Sequence, residues 1–362
     1  MKILYAAGLL PKDSALYRLW ALERLGHQVI PFNTYDYLSR NPLVGKLTLR
    51  LSAGPSVSRL NRDLLRLAES EKPDIFWADK LLSLRSSTLD RLRNLGIATV
   101  SYMIDNPFGT RRDSGWRLYL TNITHYDLHV VQRDKNILDY TRRGARNVIK
   151  VQTAYEPTLH FPPPAGWSDV NRDRHVSFIG TPYDDRAKIL DRLWRDKGFS
   201  VTISGGEKVW SRAMQLDAFK ATFREGELYA GDYRNAIWRS RINLSFLTHS
   251  NHDEFVHKSF EIAGCAGFLL AERSEGHLQR FIEDKEAVFF STFEELAEKI
   301  RRYLPDEAAR QRIATSGHLR AVRDGYSNDR QVGLIIERIE SIMAKMPTSK
   351  AATQSQSHAG RA

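Results

Sequence analysis

The chain has 362 residues, 42% hydrophobic and 10% aromatic, which argues against general disorder and favours two domains of about 150 residues each. Lys and Arg number 54 against 43 Asp and Glu, a net charge of +11 that favours anionic partners such as nucleotide phosphates or an anionic lipid surface. The basic residues are dispersed and form no recognisable nucleic-acid-binding module, so we expect no specific nucleic-acid partner. The single cysteine, Cys265, excludes an intramolecular disulfide and fits a reducing, cytoplasmic compartment.

The first part of the chain alternates strand-like apolar runs with helix-like stretches. Strands are predicted at residues 1–6, 27–32, 74–77, 98–104, 128–131 and 147–151, and helices from Ser14 onward, over 57–71 and over 83–95. The opening apolar stretch is short and Pro11 follows it, so a buried strand is favoured over a signal peptide. This alternation predicts an α/β fold with a parallel sheet covered by helices on both faces.

A cluster of prolines and Gly166 interrupts this pattern, and we place the domain linker at residues 166–174. The alternation then restarts, with strands predicted at 175–180, 200–205, 242–246, 268–271 and 287–290 and helices at 185–195, 258–266, 293–303, 307–324 and 330–344. The sequence therefore predicts two Rossmann-like domains, 1–165 and 175–330, a last helix over 331–346, and a disordered tail at 347–362.

In open parallel sheets, ligands gather where strands end and helices begin. Lys258 and Glu261 lie three residues apart at the start of a predicted helix, and hence on one face of it. There, Lys258 can neutralise a diphosphate and Glu261 can accept hydrogen bonds from ribose hydroxyls, with Ser259 between them as a further donor-binding candidate. The same spacing also fits an ordinary exposed ion pair.

Two further strand ends carry candidate residues. Gly180 and Thr181 can bring backbone N–H groups to a phosphate, with Arg186 adding charge; alternatively this is a plain turn in which Arg186 pairs with a neighbouring aspartate. Asp105 and Asn106 follow a buried strand, where Asp105 is a candidate catalytic base and Asn106 an acceptor-side residue. Either residue can instead bond its own backbone in a turn.

The polar loop 248–257 contains three histidines, but their spacing matches no metal signature and we expect no metal ion. Within this loop, Glu254 is a candidate catalytic residue and His257 a candidate donor-binding residue. Gly8 ends the first strand and is a candidate for close approach of an acceptor.

Several of these motifs carry a family likeness between roughly residues 74 and 330. In chain order they are Asp105-Asn106-Pro107, the segment 126–131, Gly144, Tyr155-Glu156-Pro157, Phe178-Ile179-Gly180, Tyr183, Arg186, Lys258-Ser259-Phe260-Glu261, the segment 264–272, Ile313-Ala314, Gly317 and Arg330. In this order and spacing the chain resembles the group 1 glycosyltransferase-like family that includes the spore-maturation protein CgeB.

This resemblance implies a GT-B fold, with two Rossmann-like domains facing a central cleft and a final helix that crosses back to the first domain. It implies that the C-terminal domain binds a nucleotide sugar, with Lys258 and Arg186 at the diphosphate and Glu261 at the ribose. The sequence departs from the family twice. Lys258 replaces a usual arginine, and Glu254 and Glu261 are one residue closer than the paired glutamates of related retaining enzymes.

The resulting hypothesis is a hexosyltransferase-like, metal-independent enzyme that transfers sugar from a nucleotide diphosphate sugar, its co-substrate, to a hydroxyl acceptor on a glycan, lipid or protein. No cofactor is expected. Location in the cytoplasm, with peripheral contact at the inner membrane face, is expected from composition and charge. The alternatives are a sugar-nucleotide 2-epimerase on the same scaffold and a non-catalytic protein that binds polyanions or polysaccharide.

Overall fold

A computed structural model describes residues 1–39, 41, 43–45, 48, 53–109 and 115–346. The predicted disordered tail, 347–362, lies outside the described residues. Contacts divide the chain into two compact units, one of residues 1–152 and 329–362 and the other of residues 153–328. The chain thus changes units after Gln152, and residues 166–174, where the sequence suggests the linker, lie inside the second unit.

The described part of the first unit contains one six-stranded parallel sheet. Its strands are β1 (Lys2–Ala7), β2 (Gln28–Asn33), β3 (Ile75–Asp79), β4 (Ala98–Tyr102), β5 (Leu128–Val131) and β6 (Val148–Lys150), in the order β2-β1-β3-β4-β5-β6. Its helices are α1 (Ser14–Arg24), α2 (Pro55–Glu71), α3 (Ser86–Asn94), α4 (Trp116–Thr121) and α5 (Asp134–Arg142).

The described second unit also contains one six-stranded parallel sheet. Its strands are β7 (Arg174–Ile179), β8 (Val201–Ser204), β9 (Phe223–Glu225), β10 (Ser240–Ser245), β11 (Leu269–Glu272) and β12 (Val288–Phe290), in the order β12-β11-β10-β7-β8-β9. Its helices are α6 (Arg186–Arg195), α7 (Glu207–Ala213), α8 (Leu216–Thr222), α9 (Ala230–Trp238), α10 (His257–Gly264), α11 (Glu275–Leu278), α12 (Phe293–Tyr303) and α13 (Glu307–Arg323). The last helix, α14 (Asn328–Met343), belongs to the first unit from its second residue onward.

Both faces of each sheet are buried, and successive side chains of a strand point to opposite faces. In β1, Ile3 and Tyr5 join an apolar cluster with α1 and α14, whereas Leu4 joins a second cluster with α2 and α3. In β11, Leu270 packs with α6, α12 and α13, and Leu269 packs with α9 and α10. The helices therefore cover both sides of both sheets, as the sequence predicts.

The predicted elements occur within a few residues of their observed bounds. The segment 207–238 is where the sequence prediction falls short, because it contains α7, α8, β9 and α9, which the apolar pattern does not separate. Across the described ranges, no helix has both the length and the apolar character needed to cross a membrane.

Candidate functional site

Each sheet has one point where the strand order reverses, and ligands of such sheets bind beside that point at the carboxyl ends of the strands. In the second sheet the reversal lies between β7 and β10. The residues that follow these strands are Gly180 and Thr181 after β7 and the 246–256 loop after β10, which leads into α10. The structure thus brings the predicted donor-binding segments to one edge of one sheet.

Lys258 lies in the first turn of α10 and points back to β7. Its ammonium group donates a hydrogen bond to the carbonyl of Ile179 and lies 5.4 Å from the ring centroids of both Phe178 and Tyr233. Burial lowers the pKa of Lys258 to about 8, although Glu261 opposes the shift. A half-buried cation beside the turn that follows β7 can bind an anionic group of a ligand.

Glu261 lies one turn further along α10, and Tyr233 from α9 donates a hydrogen bond to its Oε2 atom at 2.8 Å. Burial raises the pKa of Glu261, but His160, His257, Lys258 and the Tyr233 hydroxyl together outweigh burial and hold that pKa below its usual value. Glu261 is therefore a carboxylate near neutral pH, and one of its oxygens is fixed by protein.

His160 belongs to this cluster although it is distant in sequence. Its side chain is buried, its Nδ1 atom accepts a hydrogen bond from the N–H of Glu156 at 3.0 Å, and its ring meets that of Tyr233 edge to face at 5.8 Å. Because Nδ1 accepts, the proton of the neutral ring is on Nε2. Sequence reasoning missed both His160 and Tyr233, since neither belongs to a local motif.

Gly180 begins the turn that follows β7 and lies next to the Lys258 side chain. Its φ of +151° falls in a region that favours glycine, and a Cβ atom at this position would lie 3.6 Å from Lys258 Nζ. Its carbonyl accepts a hydrogen bond from Trp210 Nε1 at 2.8 Å. The turn is thereby fixed, and Thr181 follows it at the same edge.

Arg186 is the first residue of α6, and its guanidinium is buried among backbone carbonyls. It donates to the carbonyls of Thr181 at 3.2 Å and Leu247 at 3.0 Å, and to the hydroxyl of Thr248 at 2.9 Å. The structure therefore shows Arg186 joining the loops that follow β7 and β10. The terminal nitrogens of Arg186 thus bind the two loops, and within the described residues Arg186 forms no direct ion pair with Asp184 or Asp185.

Ser259 lies on the inward face of α10, and its role in donor binding stays a prediction. Its side chain is fully buried, and its hydroxyl lies 3.0 Å from Ser245 Oγ and 2.9 Å from His277 Nε2. His277 Nδ1 lies 2.8 Å from the carbonyl of Glu272, so Nδ1 carries the proton and Nε2 accepts from Ser259. Burial lowers the pKa of His277 to about 4, which keeps the ring neutral. This chain of hydrogen bonds joins α10 to β10 and α11.

Glu254 and His257 lie on the segment that enters α10. The carbonyl of Glu254 accepts a hydrogen bond from Ser274 Oγ at 2.6 Å, and a Cβ atom on Gly276 would lie 2.4 Å from that carbonyl oxygen. The backbone of the segment is therefore fixed by close contact with the start of α11. His257 is the first residue of α10, and its charge contributes to the lowered pKa of Glu261.

The first unit has a cavity of about 530 Å³ at the corresponding place in its own sheet, beside the reversal between β1 and β3. Gly8 lines it, and a Cβ atom on Gly8 would lie 2.7 Å from Tyr35 Cε2, so only glycine fits there without a shift of that ring. Apolar side chains such as Leu60 and Leu81 line the cavity together with Lys12 and Lys80. The cavity therefore suits an organic molecule with both apolar and polar parts.

A buried ion pair lies at the wall of this cavity. Arg18 binds Asp79 through two nitrogens at 2.6 and 3.0 Å, and Tyr5 donates to the same carboxylate at 2.6 Å. The guanidinium also stacks 4.3 Å from the ring centroid of Tyr102. This arrangement positions the ends of β1, β3 and β4, and the sequence gives no local sign of it.

Asp105 and Asn106 have different surroundings. Asp105 is partly exposed and pairs with Lys80 at 2.5 Å. Asn106 is buried, and its side-chain oxygen accepts from the N–H of Phe108 at 3.1 Å and from Asn136 Nδ2 at 2.8 Å. Asn106 is therefore a turn-forming residue, and its contact with an acceptor stays a prediction.

Comparisons with known proteins agree with this architecture. Residues 186–337, which include Lys258 and Glu261, match a family model described as glycosyl transferase-like. A search of curated proteins finds no match.

Solved structures resemble nearly the whole chain. Sucrose-phosphate synthase from Thermosynechococcus elongatus aligns with a TM-score of 0.67 at 12% identity, covering 96% of this chain and 100% of that chain. HepE from Anabaena, solved in complex with UDP-glucose, aligns with a TM-score of 0.64 at 13% identity, covering 96% and 100%. A glycosyltransferase from Rickettsia africae aligns with a TM-score of 0.63 at 11% identity, covering 95% and 99%. At such identities the similarity establishes the fold, and the predicted GT-B architecture is confirmed.

Proposed function

We propose that this protein is a glycosyltransferase that moves a sugar from a nucleotide diphosphate sugar to a hydroxyl acceptor, and that the second unit binds the donor. The observation that carries the proposal is the cluster of Lys258, Glu261 and Tyr233 beside the strand reversal of the second sheet. The glycosyl transferase-like match over the same residues supports it. So does the presence of UDP-glucose in a structure of the same fold, HepE.

The donor would lie with its diphosphate between the turn that follows β7 and the first turn of α10. Lys258 supplies positive charge there, and the amino-terminal end of α10 adds the positive end of the helix dipole. Glu261 has one oxygen held by Tyr233, which leaves the other for ribose hydroxyls. Bound in this way, the nucleotide places its sugar beyond the diphosphate, toward the segment that contains Glu254 and His257.

In the reaction, the bond between the sugar's anomeric carbon and the diphosphate oxygen breaks, and a bond from that carbon to the acceptor oxygen forms. The leaving diphosphate gains negative charge, which Lys258 stabilises more strongly in the transition state than in the ground state. The acceptor hydroxyl loses its proton to a base. Asp105 of the first unit is the candidate base, and the Lys80 ammonium group pairs with its carboxylate.

The first unit would bind the acceptor in the cavity that Gly8 and Tyr35 line. Its mixture of leucines, tyrosines and lysines suits an acceptor with an apolar or ring-shaped body and an anionic or hydroxylated end. Glycans, lipid-linked sugars and glycosylated proteins all offer such a hydroxyl.

A donor screen tests the proposal. Thermal stability is measured with UDP-, GDP-, ADP- and TDP-sugars, and release of the nucleoside diphosphate is then followed with added acceptors. We expect one donor class to raise the melting temperature. Lys258→Ala should weaken its binding about tenfold or more, because a charge-assisted contact contributes about 1.5–3 kcal/mol. Lys208→Ala, which removes an exposed lysine on α7, is the matched control and should bind like the wild type.

The alternatives give different outcomes in the same experiment. A 2-epimerase would convert the nucleotide sugar without any acceptor. A non-catalytic polyanion-binding protein would bind polymers in a salt-sensitive manner and would release no nucleoside diphosphate. If no nucleotide sugar changes the melting temperature, or if Lys258→Ala and Lys208→Ala respond equally to the donor, the proposed donor site is wrong.

A further inference from the structure

The second unit has a cavity, also of about 530 Å³, at the opposite edge of its sheet from Lys258. Ser240 and Arg241 at the start of β10, and Gly267 and Phe268 just before β11, line it. Because these residues precede or begin their strands, the cavity opens at the amino-terminal edge. It is of a size that binds small organic ligands, and the donor site proposed above does not use it.

Three arginines and Glu307 line this cavity, and Asp169 pairs with the arginines to different extents. Arg310 is fully engaged: one terminal nitrogen donates to backbone carbonyls of residues 303 and 304, and the other to both oxygens of Asp169. Arg172 lies 3.3 Å from oxygens of both Asp169 and Glu307. These two arginines therefore share the two available carboxylates, and little negative charge is left for a third cation.

Arg241 is that third cation. Its closest carboxylate oxygen is Oδ2 of Asp169, 3.5 Å from its Nε atom. That Nε is shielded from solvent and donates no hydrogen bond to any acceptor in the part of the chain that the structure describes. The Arg241 side chain as a whole is 27% exposed and lines the cavity, so its guanidinium group is accessible to a ligand there. The local charge, three guanidinium groups against two carboxylates, favours an anionic ligand.

The neighbouring His175 is sensitive to the same excess of positive charge. Its pKa is lowered by burial and by Arg241, while Asp169 opposes the shift and Arg310 adds to it. Burial is the largest cause of this lowered pKa, and the two arginines add to it.

The remaining wall is aromatic and apolar. Trp167 and Trp238 lie with ring centroids 5.8 Å apart, and Trp167 Nε1 donates to the carbonyl of Trp238 at 3.0 Å, which fixes the ring. Phe268 and Pro162 complete this side. Indole faces pack well against the C–H groups of sugar rings and other flat organic bodies.

We propose that this cavity is a second ligand site, for a small organic anion such as a phosphate ester of a sugar. Its anionic group binds Arg241 and Arg172, and its body packs on Trp167. The site is independent of the proposed donor site, since it lies at the other edge of the sheet and shares no residue with the Lys258 cluster.

Calorimetric titration with glucose 6-phosphate, inorganic phosphate and glucose tests this proposal. We expect glucose 6-phosphate to bind most tightly, inorganic phosphate more weakly, and glucose least. Arg241→Gln keeps the shape of the side chain and should reduce affinity for glucose 6-phosphate about tenfold or more, because it removes a charge-assisted contact. Trp167→Leu should lower affinity for glucose 6-phosphate but leave that for inorganic phosphate unchanged.

Two control variants make the result specific. Arg212→Gln makes the same change in net charge at an exposed position of α7 and should bind like the wild type. Lys258→Ala should also leave glucose 6-phosphate binding unchanged. This expectation does not depend on whether the protein transfers sugar. The proposal is overturned if glucose 6-phosphate shows no saturable binding at millimolar concentration, if Arg241→Gln binds it as tightly as Arg212→Gln does, or if Lys258→Ala abolishes it.

Discussion

The charge of Lys258 makes donor binding depend on pH in a specific way. Burial lowers its pKa to about 8, so about 90% of the side chains carry a proton at pH 7 and about 10% at pH 9. A diphosphate prefers the protonated form, and the phosphate groups themselves are fully ionised across this range because their last pKa is about 6. The affinity for the nucleoside diphosphate should therefore fall about tenfold between pH 7 and pH 9.

Calorimetric titration with UDP, or with whichever nucleoside diphosphate stabilises the protein most, measures this dependence. Lys258→Arg is the informative control, because a guanidinium stays charged over the whole interval. Its affinity should vary less than twofold from pH 7 to pH 9. Equal slopes for the wild type and Lys258→Arg would refute the assignment of the titration to Lys258, as would a wild-type affinity that does not change with pH.

Two further predictions concern stability and are measured by urea denaturation. Gly264→Ala places a Cβ atom 2.8 Å from the ring of Tyr155 and should lower the free energy of unfolding by about 1–3 kcal/mol. The control is Gly333→Ala in α14, where no heavy atom lies within 4 Å of the new Cβ. This change should be neutral or should stabilise the protein by up to about 1 kcal/mol. Equal effects of the two substitutions would contradict the packing argument. Arg18→Met leaves the buried carboxylate of Asp79 without its cation and should cost about 3–5 kcal/mol, whereas a cost below about 1 kcal/mol would show that the pair is well solvated.

Much of the fold follows from local patterns in the sequence. Apolar runs of four to six residues separated by amphipathic stretches require parallel strands with helices between them. The three-residue spacing of Lys258 and Glu261 places both on one helix face, as the structure shows. These predictions succeed because they depend only on residues close together in the chain.

The other members of the cluster could not be predicted in this way. Tyr233 lies in a segment where several short elements follow one another without clear periodicity, and His160 lies in the proline-rich stretch that resembles a linker. Each reaches Glu261 only after the chain has folded. Their contribution depends on tertiary packing, for which a single sequence carries no local signal.

Ser259 has a buried side chain whose position the sequence could have indicated. Ile262 and Ala263 lie three and four residues after it and are buried against the sheet, so helical periodicity places Ser259 on the same inward face. Its hydroxyl is tolerated there because Ser245 and His277 satisfy it. Its position on the helix therefore favours the interior for the side chain.

The most direct test of the proposed donor site is a crystal structure of the protein with a nucleotide sugar bound. We predict diphosphate oxygens within hydrogen-bonding distance of Lys258 Nζ and ribose hydroxyls within hydrogen-bonding distance of Glu261. A nucleotide bound at the amino-terminal edge of the second sheet, or in the cavity of the first unit, would contradict the proposal.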